Sequence, residues 1–333
     1  MTSGLILLNK KPGITSFDSL RDIKRALGTG KVGHTGTLDK FAGGLLAVLV
    51  GKALRLSQWF SHCDKKYEGR ICFGAETDTL DPEGSVIAEA AVPTREAVEK
   101  VLSEFTGEIM QAPPAYSAIH VNGKRASSLA RSGEMPEMKK RQVTVYKLEL
   151  TNWQPPFADI FVHCSSGTYI RSLARDIALA SGSRGYLSSL LRTQVGKFAL
   201  EAASYMEGLG IPILKPIDKN VISALGMSCF DVTQQEAESI LHGKELSSIL
   251  NDKLIYPSAS PRLCESSFNN PSASPRLCEN SSLNPAVSAV FCGETLIAVV
   301  EKIDGKWKYG CVCGFPNGDQ PCRDKSRAAF RSF

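Results

Sequence analysis

The chain has 333 residues, 43% of them hydrophobic, and a formal net charge of +5. This is enough apolar material for a hydrophobic core in one large domain plus a small one, or in two domains, and the mild basic excess permits a polyanionic partner such as RNA without requiring one. No apolar run is long enough to span a membrane and no signal-peptide pattern begins the chain, so we expect a cytoplasmic protein rather than a membrane-spanning or secreted one.

The first predicted elements are a strand and a helix. Leu5–Asn9 has the pattern of a short strand. Ser16–Leu27 has apolar residues on one helical face, with Ser16 as candidate N-cap and Gly28 just beyond the end.

Gly28–Gly33 matches the GxGxxG spacing of dinucleotide-binding loops. In those loops the motif follows a strand and opens a helix. Here it follows a helix, so we expect the glycines to end that helix and turn the chain. No phosphate-binding GxxxxGK[ST] loop is present either, and we predict no nucleotide cofactor.

The segment Lys31–Leu46 is the most informative part of the sequence. Asp39 lies in a turn rich in glycine and threonine, five residues after His34. Glycine lets the backbone approach a ligand closely, so a carboxylate on such a turn is well placed for chemistry. The same pattern suits an ordinary surface turn in which Asp39 caps the backbone, and spacing alone leaves both interpretations open.

Strand and helix patterns follow one another irregularly through the middle of the chain. Because they lack a strict β-α-β rhythm, we predict an α+β fold with a mixed, mainly antiparallel sheet. The predicted strands are Lys66–Phe73, Gln142–Leu150 and Ala158–Cys164, and the predicted helices are Thr94–Phe105 and Thr168–Ala180.

The C-terminal third predicts a small β-rich domain. A short helix, Thr233–His242, precedes three strand patterns: Ala289–Cys292, Thr295–Glu301 and Lys306–Val312. We predict a first domain over residues 1–217, a second over residues 228–315, and a basic tail over residues 316–333.

Residues 258–285 consist of two nearly identical copies of a segment rich in serine, asparagine and proline. Such a segment buries too little apolar surface to offset the entropy of ordering, so we predict a disordered insertion in a surface loop. A linear binding motif around Pro261–Leu263 is the alternative.

Ten cysteines are scattered through the chain. This distribution is typical of reduced thiols that pack as small apolar side chains. Cys311, Cys313 and Cys322 lack a second CxxC pair or a nearby histidine, so we predict no zinc site.

Four separated segments contain polar groups that could form one site: His34 with Asp39, Lys66–Tyr67, Gly167–Arg171 and Leu190–Thr193. Each also has an ordinary structural explanation. Tyr67 could be a half-buried strand residue, Leu190 core and Arg192 surface, and spacing alone does not show that the segments converge.

In these segments and several others, the sequence resembles the TruB family of bacterial tRNA pseudouridine-55 synthases. The resemblance runs in order from about Leu5 to Pro216 and more weakly beyond. The motifs that carry it are Asn9–Ser16, Gly33–Asp39, Lys66–Tyr67, Thr77–Gly84, Gln111–Ala118, Val121–Arg125 and Ser166–Arg171.

The resemblance implies a pseudouridine synthase fold with a PUA-like C-terminal RNA-binding domain, and it implies isomerisation of the T-loop uridine at position 55 of tRNA after base flipping. Asp39 would be the essential carboxylate and Arg171 its ion-pair partner, while Tyr67 would stack on the flipped base. The other implied substrate contacts are Tyr169 and Leu190 as walls, His34 filling the gap left by the base, Asp81 positioning the pocket, and Lys10, Lys124 and Arg125.

The resemblance further implies a monomer that needs no metal, organic cofactor, membrane, guide RNA or partner protein. Lys124, Arg125, Arg131 and residues 139–141 would belong to a flexible RNA-clasping segment, although a solvated basic loop is an equal alternative. The rival functions are a guide-RNA-dependent relative of the dyskerin-like branch and a non-catalytic RNA-binding or RNA-folding protein. The presence of Asp39, Tyr67 and Arg171 argues against lost catalysis.

The sequence departs from the usual family pattern at three places and also carries the repeat insertion. Lys40 follows the catalytic acid where proline is normal, Phe41–Gly44 replaces a Leu-Ala-Thr-Gly run, and Ala126–Ser127 stands where an aromatic residue is common. Lys40 is the departure closest to the chemistry, since it could alter the turn or contact a phosphate.

Overall fold

A computed structural model describes residues 3–205, 214–250 and 287–314. The chain divides into two compact units, Thr2–Ile217 and Asp218–Phe333. The predicted insertion (258–285) and basic tail (316–333) lie outside the described residues. Within the described ranges, no helix is long and apolar enough to cross a membrane.

The strands are numbered in chain order. In the first unit they are β1 (Gly4–Lys10), β2 (Val32–Thr35), β3 (Gly43–Val50), β4 (Lys65–Phe73), β5 (Ala75–Thr77), β6 (Val86–Glu89), β7 (Gly107–Gln111), β8 (His120–Val121), β9 (Lys124–Arg125), β10 (Arg141–Gln154), β11 (Phe157–Cys164), β12 (Gly185–Val195) and β13 (Phe198–Ala199). In the second unit they are β14 (Ser228–Asp231), β15 (Val287–Cys292), β16 (Thr295–Ile303) and β17 (Lys306–Val312).

The helices are shorter and lie between the strands. They are α1 (Ser19–Ala26), α2 (Ser57–His62), α3 (Arg95–Leu102), α4 (Ala126–Arg131), α5 (Ile170–Ala180), α6 (Lys219–Ala224), α7 (Gln234–Leu241) and α8 (Ser247–Leu250), with short 3-10 segments at Gly51–Leu56, Ser103–Phe105 and Leu200–Ala202.

Nine of the described strands form one sheet in the first unit, with the order β1-β3-β12-β4-β11-β10-β7 and with β2 and β13 paired to β3 and β12. All its pairs are antiparallel except β3 with β12, which run parallel where Leu191 and Arg192 pair with Gly43 and Gly44. The predicted α+β class with a mixed, mainly antiparallel sheet is confirmed.

The core of this unit lies between the sheet and its helices. Every residue of β3 is buried, which explains the unbroken apolar run that follows Asp39. Helix α5 packs on β12 and β4 and buries Leu173, Ala174 and Ile177. The first turn of α5 is thereby held against β12 and β4.

Most predicted elements of the first unit are confirmed with small shifts at their ends, but the start of α1 is wrong. The helix begins at Ser19, not Ser16. Ser16 is buried, and its hydroxyl group donates to the Leu38 carbonyl oxygen at 2.9 Å and accepts from the Leu38 amide at 2.9 Å. Instead of capping a helix, Ser16 ties the N-terminal segment to the turn that contains Asp39.

The second unit contains a four-stranded sheet in the order β14-β15-β16-β17, in which β14 is parallel to β15. The helix predicted over Thr233–His242 is confirmed as α7, and Thr233 and Glu236 form a capping box at its start. Helix α6 also belongs to this unit, although the predicted second domain starts only at residue 228. Phe230 and Trp307 meet edge to face in its core, with ring centroids 5.2 Å apart.

The cysteines pack as apolar side chains where they are buried. Burial raises the pKa of the Cys164 thiol to about 12 and that of Cys229 to about 11. The Cys311 and Cys313 sulfur atoms lie 3.8 Å apart. No group of three or more His, Cys, Asp or Glu side chains in the described ranges could hold a metal ion.

Candidate active site

A turn over residues 36–42 connects β2 to β3 and presents Asp39. Gly36 and Gly44 have φ values of +82° and +100°, a region that favours glycine. A Cβ atom at Gly44 would lie 2.4 Å from the Arg192 carbonyl oxygen. Gly44 therefore lets β3 approach β12 closely, and this fixes the turn beside the middle of the sheet.

Arg171, the second residue of α5, is the main partner of Asp39. Its Nη2 lies 3.0 Å from Asp39 Oδ1 and 3.0 Å from the Tyr116 carbonyl oxygen. Its Nη1 lies 3.1 Å from Asp81 Oδ2 and 2.8 Å from the Thr79 carbonyl oxygen. Four acceptors on three loops thus hold one buried guanidinium group in a fixed orientation.

Asp39 is the carboxylate of this network that opens to solvent, since its side chain is 36% exposed and that of Asp81 only 8%. The loss of surrounding water raises the pKa of the Asp39 carboxyl group; Arg171 lowers this pKa, Asp81 raises it and Lys10 lowers it. Burial outweighs the cations, and the pKa lies above its ordinary value. The carboxylate is hydrogen-bonded, incompletely hydrated and accessible to a ligand.

A cleft of about 910 Å³ lies in front of this carboxylate. All four separated segments of the sequence contribute to its walls, so the structure brings together groups that spacing alone could not connect. The predicted site residues that line it are His34, Asp39, Tyr67, Asp81, Arg125, Tyr169, Arg171 and Leu190. Lys10 and Lys124 are not among its lining residues.

Tyr67 and Tyr169 supply the aromatic surface of the cleft. Tyr67, on β4, is buried, and burial raises the pKa of its hydroxyl group while the nearby Arg192 opposes the rise. Tyr169 immediately precedes α5, and burial raises its pKa as well. Both hydroxyl groups are therefore held in their neutral form at physiological pH, and both rings are available for stacking.

His34 lies on β2 and lines the same cleft. Burial lowers the pKa of its imidazole, and Arg192 lowers it further. Its Nδ1 is buried and has no hydrogen-bond partner among the described residues. His34 is thus a neutral ring at the cleft wall rather than a charged group.

Lys10 is placed differently from the prediction. Its side chain is buried, and its Nζ donates to the carbonyl oxygens of Ile14 at 2.7 Å, Lys11 at 3.0 Å and Lys40 at 3.4 Å. Burial lowers its pKa to about 8. Because an ammonium group has only three donors, these three acceptors occupy all of them, and Lys10 holds the turn that contains Asp39 rather than lining the cleft.

The basic segment is exposed. Lys124 and Arg125 form β9 of a small hairpin with β8, and Arg131 ends α4. Arg125 and Arg131 line the cleft, whereas Lys139 and Lys140 are exposed outside it.

Arg192 lies in one of the four predicted segments, but sequence reasoning assigned it no role in the site, because the surface was its ordinary structural explanation. It is 1% exposed and lines the cleft beneath the turn. The alternation of β12 was the available signal, since it places Arg192 on the same face as the buried Leu190.

Comparisons with known proteins identify the family of this chain. Residues 24–170 match the family described as TruB family pseudouridylate synthase (N terminal domain). The tRNA pseudouridine synthase B of Borreliella burgdorferi (strain ZS7) is 45% identical over 212 residues, covering 63% of this chain and 75% of that protein. The enzyme of the same name from Azoarcus sp. (strain BH72) is 41% identical over 254 residues, covering 74% and 84%.

Among solved structures, a chain of a Cbf5-Nop10-Gar1 complex is similar with a TM-score of 0.64 and 23% identity, covering 93% of this chain and 85% of that one. At this identity the similarity concerns the fold alone.

Proposed function

Since the chain belongs to the TruB family of pseudouridylate synthases, we propose that it acts on tRNA and isomerises the T-loop uridine at position 55. The observation that carries this proposal is the 3.0 Å contact between the buried Arg171 and the partly exposed Asp39 carboxylate in a cleft with aromatic walls. The names of the related enzymes support tRNA as the substrate.

The reaction breaks the C1′–N1 bond of uridine, turns the uracil ring and joins C1′ to C5. N1 gains a proton, and the hydrogen on C5 leaves to solvent. The target nucleotide must first leave its stack, because C1′ is out of reach inside the folded T loop. An open cleft with two aromatic walls suits a flipped uracil better than a stacked one.

Asp39 is the essential carboxylate in this proposal. Attack at C1′, addition to the uracil ring and a glycal route all need an ionised, oriented carboxylate next to the sugar or base. Arg171 meets both requirements, because its charge opposes protonation of Asp39 and its other acceptors fix its direction. Asp81 holds Arg171 from the opposite side.

The remaining cleft residues bind the flipped nucleotide. Tyr67 stacks on the uracil and, with its hydroxyl group, takes part in removing the C5 proton. Tyr169 and Leu190 complete the walls, and the neutral ring of His34 fills the gap that the nucleotide leaves in the RNA. An uncharged imidazole suits this last role, because it enters a base stack without the cost of desolvating a charge.

Basic side chains outside the cleft bind the RNA backbone. Arg125 and Arg131 are exposed at the cleft wall, and Lys124 lies beside Arg125 on the same hairpin. We assign the second unit a PUA-like RNA-binding role, and we propose that a monomer suffices without guide RNA or partner protein.

The test is tritium release from C5-labelled uridine in an isolated T-arm stem-loop. We expect release by the wild-type protein alone and none by Asp39→Asn, with RNA binding retained. The matched control is Glu99→Gln, which removes a carboxylate from the exposed face of α3 and should release tritium at the wild-type rate. Release from a T arm in which only the target uridine is unlabelled would contradict the assignment of position 55.

A further inference from the structure

Arg192 is the largest fully buried side chain among the described residues. Burying a charged group is unfavourable unless hydrogen bonds or an opposite charge compensate for the lost water. No carboxylate in the described part of the chain forms an ion pair with it, so its compensation comes from backbone oxygens. A large cation in this position needs an explanation beyond packing.

Its hydrogen bonds reach the first residue of the Asp39 turn and the strand β3 that follows the turn. Arg192 Nε donates to the Leu45 carbonyl oxygen at 2.7 Å, and Nη2 donates to the Gly36 carbonyl oxygen at 3.1 Å. Asp39 lies between these two anchor points. The backbone of Arg192 also pairs with Gly44, the glycine whose lack of a Cβ atom permits the close approach.

The same side chain faces Tyr67. Arg192 and Tyr67 are direct partners across the antiparallel pair β12–β4, so their side chains project from the same face of the sheet at short range. Burial raises the pKa of the Tyr67 hydroxyl group; the positive charge of Arg192 opposes this rise, whereas the nearby Cys164 and Asp39 add to it. One buried group is therefore adjacent to both the turn that carries the catalytic acid and the ring proposed to stack on uracil.

We propose that Arg192 is a positioning residue of the active site, which fixes the Asp39 turn through the carbonyl oxygens of Gly36 and Leu45 on either side of Asp39, and which fixes the phenol ring of Tyr67 across the sheet. This inference rests on the roles proposed above for Asp39 and Tyr67. A guanidinium group suits the task because its planar fork donates to two separate acceptors at once, while a lysine ammonium is a single point charge on a flexible stem.

The variants Arg192→Lys and Arg192→Met test this proposal by tritium release from the T-arm stem-loop. Displacing a reacting group by about 1 Å costs on the order of 100-fold in rate, so we expect Arg192→Met to lower kcat by about 100-fold. We expect Arg192→Lys to recover part of this loss, and we expect both variants to keep KM within about threefold of the wild-type value, since neither removes an RNA contact. Arg184→Met is the control, because it removes an arginine that precedes the same strand and lies outside the cleft.

A double-mutant cycle with Tyr67→Phe separates positioning from loss of folding. If Arg192 acts partly through Tyr67, Arg192→Lys will reduce kcat less in the Tyr67→Phe background than in the wild type. Thermal melting of each variant gives the folded fraction, to which kcat is normalised.

A wild-type kcat in the folded Arg192→Lys and Arg192→Met proteins would overturn the proposal. A second result would also overturn it: the effects of Arg192→Lys and Tyr67→Phe on kcat multiply in the double variant, and a crystal structure of Arg192→Met shows the turn in its wild-type position. A wild-type protein that releases no tritium would instead contradict the proposed function.

Discussion

Lys40 Nζ lies 2.9 Å from Glu83 Oε1, so an ion pair joins the turn that carries Asp39 to the loop that carries Asp81. Both side chains are about half exposed. The backbone carbonyl oxygen of Lys40 accepts hydrogen bonds from the Gly13 amide at 2.7 Å and from Lys10 at 3.4 Å. The turn is thus fixed through the Lys40 backbone, and the lysine side chain adds a contact at the cleft rim.

The first prediction concerns this ion pair. Exposed ion pairs contribute little, so Lys40→Ala should change kcat by less than about threefold. Lys40→Glu places a like charge against Glu83 and near Asp39, and it should lower kcat more than Lys40→Ala does. Steady-state tritium release measures both. A loss in Lys40→Ala as complete as that in Asp39→Asn would mean that the lysine takes part in the chemistry.

The second prediction concerns Arg171. Replacing it by methionine leaves Asp39 and the buried Asp81 without their shared cation, and breaking a buried ion pair from one side costs about 3–5 kcal/mol. We expect Arg171→Met to lose this much free energy of unfolding in urea titrations, together with nearly all activity. Arg175→Met, which removes the partly exposed partner of Asp176 on the same helix, is the control and should lose less. Equal losses would show that the Asp39–Arg171–Asp81 network is not specially stabilising.

The third prediction concerns pH. Asp81 raises the pKa of Asp39, so Asp81→Asn should lower it and move the acid limb of the kcat profile to lower pH. The sign follows because an ionised Asp39 is the active form, and removing a neighbouring negative charge favours that form. Profiles of the wild type and the variant on the same RNA measure the shift. An acid limb displaced to higher pH would contradict the assignment of that limb to Asp39.

Sequence reasoning predicted that Asp39, Arg171, Tyr67 and Tyr169 share one site because these residues lie in recognisable motifs, and the structure brings them to one cleft. It predicted the fold class because strand and helix patterns are local. It did not predict the buried polar contacts that support the turn containing Asp39. Ser16 and Arg192 bond to backbone groups that are distant in sequence, and Lys10 bonds to the carbonyl oxygens of the nearby Lys11 and Ile14 as well as of the more distant Lys40. Side-chain type alone assigns such residues to a cap, a ligand contact or the surface. Contacts between residues about 20 to 150 positions apart in the sequence bury these side chains, and local sequence patterns do not reveal such contacts. Only Arg192 had a local signal, which is the alternation of buried and exposed residues along its strand.

The fourth prediction concerns Lys10. Its pKa is about 8 in the folded protein against 10.5 ordinarily, so the unfolded chain binds more protons between these pH values. The free energy of unfolding should therefore rise with pH in this window by up to about 3 kcal/mol relative to Lys10→Met. Urea titrations of both proteins from pH 7 to 10 measure the difference, with Lys100→Met, an exposed lysine of α3, as control. A wild-type protein that loses stability over this range relative to Lys10→Met would contradict the burial of the ammonium group.

The fifth prediction concerns the basic wall of the cleft. Each phosphate contact with single-stranded or duplex RNA adds about 0.7–0.9 to the slope of log Kd against log salt concentration. If Arg125 and Arg131 each bind one phosphate, the double variant Arg125→Gln/Arg131→Gln should weaken T-arm binding and reduce this slope by about 1.4–1.8, while kcat at saturating RNA stays within about twofold. Lys100→Gln, which removes one exposed cation from α3 outside the cleft, should leave the slope unchanged. A double variant with the wild-type slope would show that the two arginines face solvent in the complex and that the phosphates are held elsewhere.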